Sequence, residues 1–146
     1  MKSSVRLAAG FAVIALLIGA STALAGSVKV GAIKGAKYAG TIHGAAVSIT
    51  VAANGKSAKA SVPYAPGFCQ GGGGGEVQHT QSAPVKGGAF TTKISYTVVN
   101  SSHVFATVTI KGTFLGSNFD GQLTSNFTSA KECSGQESFL AKTSKK

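Results

Sequence analysis

Between Val104 and Phe114 apolar and polar residues change places at every step. One phase reads Val104, Ala106, Val108, Ile110, Gly112 and Phe114; the other reads Phe105, Thr107, Thr109, Lys111 and Thr113. A side-chain period of two belongs to an extended strand with one face in a core and the other in water. The same alternation runs through residues 90–98, 119–128 and 47–51. Val, Ile, Thr, Phe and Tyr fill these segments and suit a pleated, half-buried surface. Asn54-Gly55 lies between two strand-like runs and predicts a hairpin, since both residues tolerate positive φ. Residues 100–103 and 115–118 separate the next strands, so residues 90–128 read as an antiparallel meander. A first strand over residues 38–43 and a last over 137–141 complete the set. The expected fold is all-β: an antiparallel β-sandwich or a small closed β-barrel of about 7–8 strands.

The chain starts in a different composition. Residues 1–6 carry Lys2 and Arg6 and no acid, residues 7–24 carry no charge, and Ala23-Leu24-Ala25 precedes Gly26. A charged start, an apolar segment and an A-x-A site are the parts of a secretory signal peptide, cleaved after Ala25. The apolar run is broken by Gly10, Gly19, Ser21 and Thr22 and is short against the roughly 20 residues of a bilayer span. The expected plan is a signal peptide at 1–25, a short linker at 26–35, one all-β domain at 36–142 and a basic tail at 143–146. The expected destination is secreted or extracellular, which includes a periplasmic or cell-wall space. After cleavage no later segment is long and apolar enough to span a membrane.

Beyond residue 25 there are twelve lysines and no arginine, against Glu76, Asp120, Glu132 and Glu137, a net charge of +8. Such a balance admits an anionic partner such as an acidic envelope polymer. It argues against nucleic acid, where the planar arginine fork is favoured for pairing with phosphate and bases. The lysines are scattered apart from the tail, and scattered lysine also serves to keep strands soluble and unpaired with other molecules. Cys69 and Cys133 are the only cysteines, and in an exported chain a disulfide between them is the default reading. By the loop-entropy relation, a bridge across about 65 residues stabilises a fold by about 4 kcal/mol.

Catalytic chemistry is thinly supplied. Four acids give no spacing that marks an acid–base pair, and no Gly-x-Ser-x-Gly elbow occurs. His43, His79 and His103 lack metal-ligand spacing, and His43 falls on the outward phase of its strand with Lys37 and Thr41. No cofactor motif is present; five glycines at 71–75 have no following Gly-Lys-Ser/Thr and read as a mobile connection anchored at Cys69. Phe90, Tyr96, Phe114, Phe119 and Phe127 share the inward phase, whereas Phe105 falls on the polar one.

Tyr38-Ala39-Gly40, Cys69 ahead of a mid-chain loop, and Cys133-Ser134-Gly135 leading to Phe139 give the chain a family likeness. It resembles a loose group of small secreted bacterial β-sandwich or β-barrel proteins with a single disulfide. The resemblance covers most of residues 35–142, implies a domain closed by Cys69–Cys133, and carries no activity. The glycine run departs from that pattern. The functional expectation is a secreted, non-enzymatic β domain, a binding or structural protein of the envelope or extracellular space, whose partner is an anionic polymer or a protein. The rival readings are a small-ligand carrier, with a lumen lined by Ile94, Tyr96, Val108 and Ile110, and a secreted hydrolase.

Overall fold

A computed structural model describes residues 31–69 and 76–146. The expected signal peptide, the linker up to residue 30 and the glycine run at 71–75 lie outside the described residues. The strands are β1 (Gly31–Ala32), β2 (Lys37–Ile42), β3 (Ala45–Val51), β4 (Ser57–Ser61), β5 (Glu76–His79), β6 (Ser82–Lys86), β7 (Ala89–Val98), β8 (Val104–Gly116), β9 (Asn118–Phe127) and β10 (Gly135–Lys142). A single 3-10 turn, Lys131–Cys133, precedes β10.

Each long strand pairs antiparallel with the next along the chain, and β10 returns to β2, so the sheet closes. β5 and β6 both pair with β7, in nearly continuous register along its length, and together form one stave between β4 and β7. The result is a closed, eight-stranded, up-and-down antiparallel barrel, which resolves the sandwich-or-barrel alternative. β1 lies inside the stretch expected to be linker and adds a short parallel pair at the end of β8. Closure has a physical reward: it removes the unpaired edges that an open sheet offers to other chains.

The β5–β6 stave carried little sequence signal. Gln78, Thr80, Ser82 and Pro84 show no apolar alternation, and Pro84 has no N–H for a ladder. Side chains replace the missing backbone bonds to β4 and the residues that follow it. The Val62 N–H donates to Gln78 Oε1 (3.2 Å), and the Thr80 hydroxyl donates to the Ala60 carbonyl (2.6 Å).

One turn differs from expectation and another matches it with a longer loop. Two-residue hairpins fall at Gly87-Gly88, at Gly116-Ser117 and at His43-Gly44, the last with φ of 45° and 76°, so His43 leaves the strand phase and enters the turn. At Asn54-Gly55 the expected hairpin does join β3 to β4, but through a longer connection in which only Gly55 has positive φ (73°). Asn54 instead accepts the Lys56 N–H on its Oδ1 at 2.9 Å, closing an Asx turn.

The inward phases meet in one core. Tyr38, Phe90, Phe114 and Phe119 cluster toward one end of the barrel, with ring centroids 4.8 Å apart for Phe114–Phe119 and 5.0 Å for Tyr38–Phe114. The Phe119 ring lies over the cross-strand pair Gly112 and Gly121. A Cβ on Gly121 would sit 2.5 Å from Phe119 Cε1 and 2.7 Å from Phe139 Cζ, so both glycines make room for the ring. Inserting that methyl overpacks the core, and Gly121→Ala is expected to cost about 1–3 kcal/mol. Leu140→Thr, at a half-exposed outer position of β10, should stay within about 0.5 kcal/mol of the parent. Urea unfolding curves of the two variants check the contrast.

Candidate functional site

An eight-stranded barrel is just wide enough for its own side chains or for one small ligand. Here the side chains take the space. Ile94, Tyr96, Val108 and Ile110 each show 0% exposure, and so do Ile49, Phe114, Phe119 and Leu123. Side chains lining a void that admits water would retain accessible surface, so the described interior is filled. Inward polar groups sit among them, including the hydroxyls of Tyr38, Thr92, Tyr96 and Ser125. The Tyr96 hydroxyl donates to the Val62 carbonyl at 2.8 Å, while Ser125 Oγ has no partner among the described residues. Burial first, and the negative charge of Glu76 second, push the Tyr96 hydroxyl well above the ordinary tyrosine range.

The surface chemistry therefore belongs to the barrel's ends and outer face. One end holds the turns at His43-Gly44 and 99–103, the segment 62–69 and the 3-10 turn. Cys69 and Cys133 are joined there in a disulfide with Cα atoms 4.8 Å apart, the pairing expected of the chain's two cysteines. The Phe68 N–H donates to the Cys133 carbonyl at 3.0 Å, and the Phe68 ring covers Gly135, whose Cβ would lie 2.5 Å from Phe68 Cδ2. The same ring meets His43 edge-on, with centroids 4.5 Å apart. Segment 62–69 is thus strapped across this end by a covalent bond, a backbone bond and an aromatic contact.

Phe105 is the residue the alternation misplaced. Tyr96 pairs with Ala106 and Thr97 with Val104, which leaves Phe105 as the extra residue of a β-bulge. A bulge bends its strand and re-aims a side chain. Phe105 turns to the disulfide end, where its ring centroid lies 6.4 Å from that of Phe127. The Thr128 N–H holds the bulge by donating to the Phe105 carbonyl at 2.8 Å. Phe127, expected in the core, is only half-buried because it sits at the rim. Ala65, Glu76, Phe105, Phe127 and the disulfide border a pocket of about 190 Å³.

The dispersed acids and histidines meet only once. His43 Nε2 and Glu137 Oε2 form an ion pair when His43 is protonated; both side chains are exposed. His79 Nε2 lies 3.0 Å from Thr97 Oγ1, and His103 is exposed in its loop. Asp120 stands on the outer face near the opposite end, paired in register with Thr113 and Leu140. Among the described residues no group of three His, Cys, Asp or Glu side chains is gathered as a metal site.

The opposite end is built from Lys34, Lys37, Lys56, Lys86, Lys142, Lys145 and Lys146, all exposed. Lys37 opens β2, Lys86 closes β6 and Lys142 closes β10, so the up-and-down winding delivers them to one rim. Lys145 Nζ donates to the Lys34 carbonyl at 2.8 Å, which folds the C-terminal residues against the turn before β2. No described lysine has a carboxylate within 4.0 Å, and the three glutamates all lie in the disulfide half. Sequence scatter concealed this grouping because the lysines sit at strand ends tens of residues apart.

Comparison with known protein families, curated proteins and solved structures finds no match to this chain.

Two outcomes test these ends. Mass spectrometry of the unreduced protein should find Cys69 and Cys133 linked with loss of two hydrogens, and reduction should lower unfolding stability by about 4 kcal/mol. Tyr96→Phe orphans the Val62 carbonyl at a cost of about 1–3 kcal/mol near pH 7. Because the folded pKa of Tyr96 is raised, its contribution is complete below the unfolded value, near pH ~10, and fades as pH rises through the folded one. Denaturant titrations across that range should therefore show a shallower alkaline loss for the variant than for the parent.

Proposed function

We propose that this chain is an exported, non-enzymatic β-barrel that binds an anionic polymer of the cell envelope or extracellular space through its lysine-rich end. The observation that carries the reading is the collection of seven unpaired lysines on one rim of a rigid barrel. Lysine ammonium groups are compact, strongly hydrated point charges. A ring of them attracts a flexible polyanion over roughly a Debye length without demanding one stereochemistry. Export supplies the setting, and the disulfide is consistent with an oxidising compartment. The filled interior favours this reading over a carrier with a ligand in its lumen. Among the described residues no third His, Cys, Asp or Glu joins the exposed His43–Glu137 pair, which favours binding over hydrolysis.

The test is retention of residues 26–146 on an immobilised polyanion, a polyol phosphate or a polycarboxylate, as salt is raised. Capture at low salt and release at high salt are expected. Replacing Lys34, Lys56, Lys145 and Lys146 together by Gln should weaken capture about tenfold or more. Replacing Lys59, Lys93 and Lys111, which lie along the staves, should have a much smaller effect. Equal losses from the two sets would reduce the interaction to net charge and sink the assignment to this rim.

A further inference from the structure

We propose that the pocket at the disulfide end is a binding site for a small organic ammonium ion, with Glu76 as its counter-charge. It is separate from the lysine rim and lies at the other end of the barrel. Its walls are the rings of Phe105 and Phe127, Ala65 and the Cys69–Cys133 disulfide, and Glu76 is the one carboxylate among its lining residues. Glu76 opens β5, and its carboxylate has a single hydrogen bond among the described residues: Oε2 accepts the Ala65 N–H at 2.8 Å. Among the described residues, which include eleven lysines, no lysine or histidine forms an ion pair with it.

A half-buried carboxylate among apolar groups is costly unless a cation answers it. Seven of the described lysines stand on the far rim, and Lys131, in the 3-10 turn at this end, forms no ion pair with Glu76. The negative charge is felt within the fold, where it adds to burial in raising the Tyr96 hydroxyl. Phe105 and Phe127 offer π-faces, which attract an ammonium ion electrostatically, and more strongly where water is excluded. The bulge at Phe105 gains a purpose: it takes an aromatic ring off the outer phase of β8 and brings it to the pocket. With about 30 Å³ as the share of one water in the liquid, 190 Å³ holds the volume of about six waters. That suits a methylated ammonium or a short alkylamine and excludes a polymer.

The experiment is calorimetric titration of the oxidised protein, residues 26–146, with tetramethylammonium, and with tert-butanol as an uncharged molecule of similar shape. The expected result is saturable binding of tetramethylammonium and none of tert-butanol, a comparison that needs no variant. Glu76→Gln keeps a carbonyl oxygen for the Ala65 N–H and removes the charge; it should weaken tetramethylammonium about tenfold or more. Phe105→Leu should weaken it several-fold, and a thermal melt of each variant establishes that it is folded. Equal binding of the two molecules, unchanged affinity in folded Glu76→Gln, or no saturation by the parent protein would each overturn the proposal.

Discussion

A barrel of eight strands has a fixed cross-section, and every inward side chain must fit it at once. The Phe119 ring shows how narrow the solution is. It occupies space that only Gly112 and Gly121 vacate, and it touches the Phe90 and Phe114 neighbourhood on one side and Phe139 on the other. Four strands meet around that ring, since Phe90 is on β7, Phe114 on β8, Phe119 on β9 and Phe139 on β10. Closing the sheet and filling the lumen are therefore one event. A ring left open would expose this cluster, and a lumen left empty would forfeit the dispersion contacts that hold it.

Filling the lumen moves function outward. The two ends are chemically unlike because an up-and-down winding sorts strand starts from strand ends. Lys37, Lys86 and Lys142 arrive at one rim, while Glu76 and the disulfide arrive at the other. The disulfide end is the more constructed of the two. Its strap, bulge and turn are each held by a directional contact: Cys69–Cys133, Thr128 to Phe105, and His43 to Glu137. The lysine rim has its own ties: the Tyr38 hydroxyl donates to the Gly116 carbonyl (2.7 Å) and accepts the Ile33 N–H (3.0 Å), and Lys145 donates to the Lys34 carbonyl.

Period-two patterning made most of the barrel legible, because β3, β7, β8 and β9 each bury one face cleanly. The cysteine pair was legible from compartment and count. What escaped was whatever depends on closure. Glu76, Gln78 and Thr80 look like loop residues until their side chains are seen bonding Ala65, Val62 and Ala60 across a seam. Phe105 reads as an outward residue until a one-residue bulge turns it. His43 reads as the end of a strand, because nothing local says that a two-residue turn falls at His43-Gly44. The lysine rim was invisible for the same reason: positions 34, 56, 86 and 142 become neighbours only once the ring has closed.

The two proposed sites need each other's absence. A carboxylate in an apolar pocket keeps its affinity for a small cation only if no lysine pairs with it, and a lysine rim keeps its field only if no acid pairs with it. Neither pairing forms among the described residues. Glu76 is on the first residue of β5, whereas Lys86 is on the last residue of β6, so a single stave carries opposite charges to opposite ends. The stave is stiffened on one side by its ladder to β7 and on the other by side-chain bonds to the β4 side. That stiffness is what keeps the charges apart. A flexible connection in the same place would let the lysine fold back onto the carboxylate, and both surfaces would lose their charge.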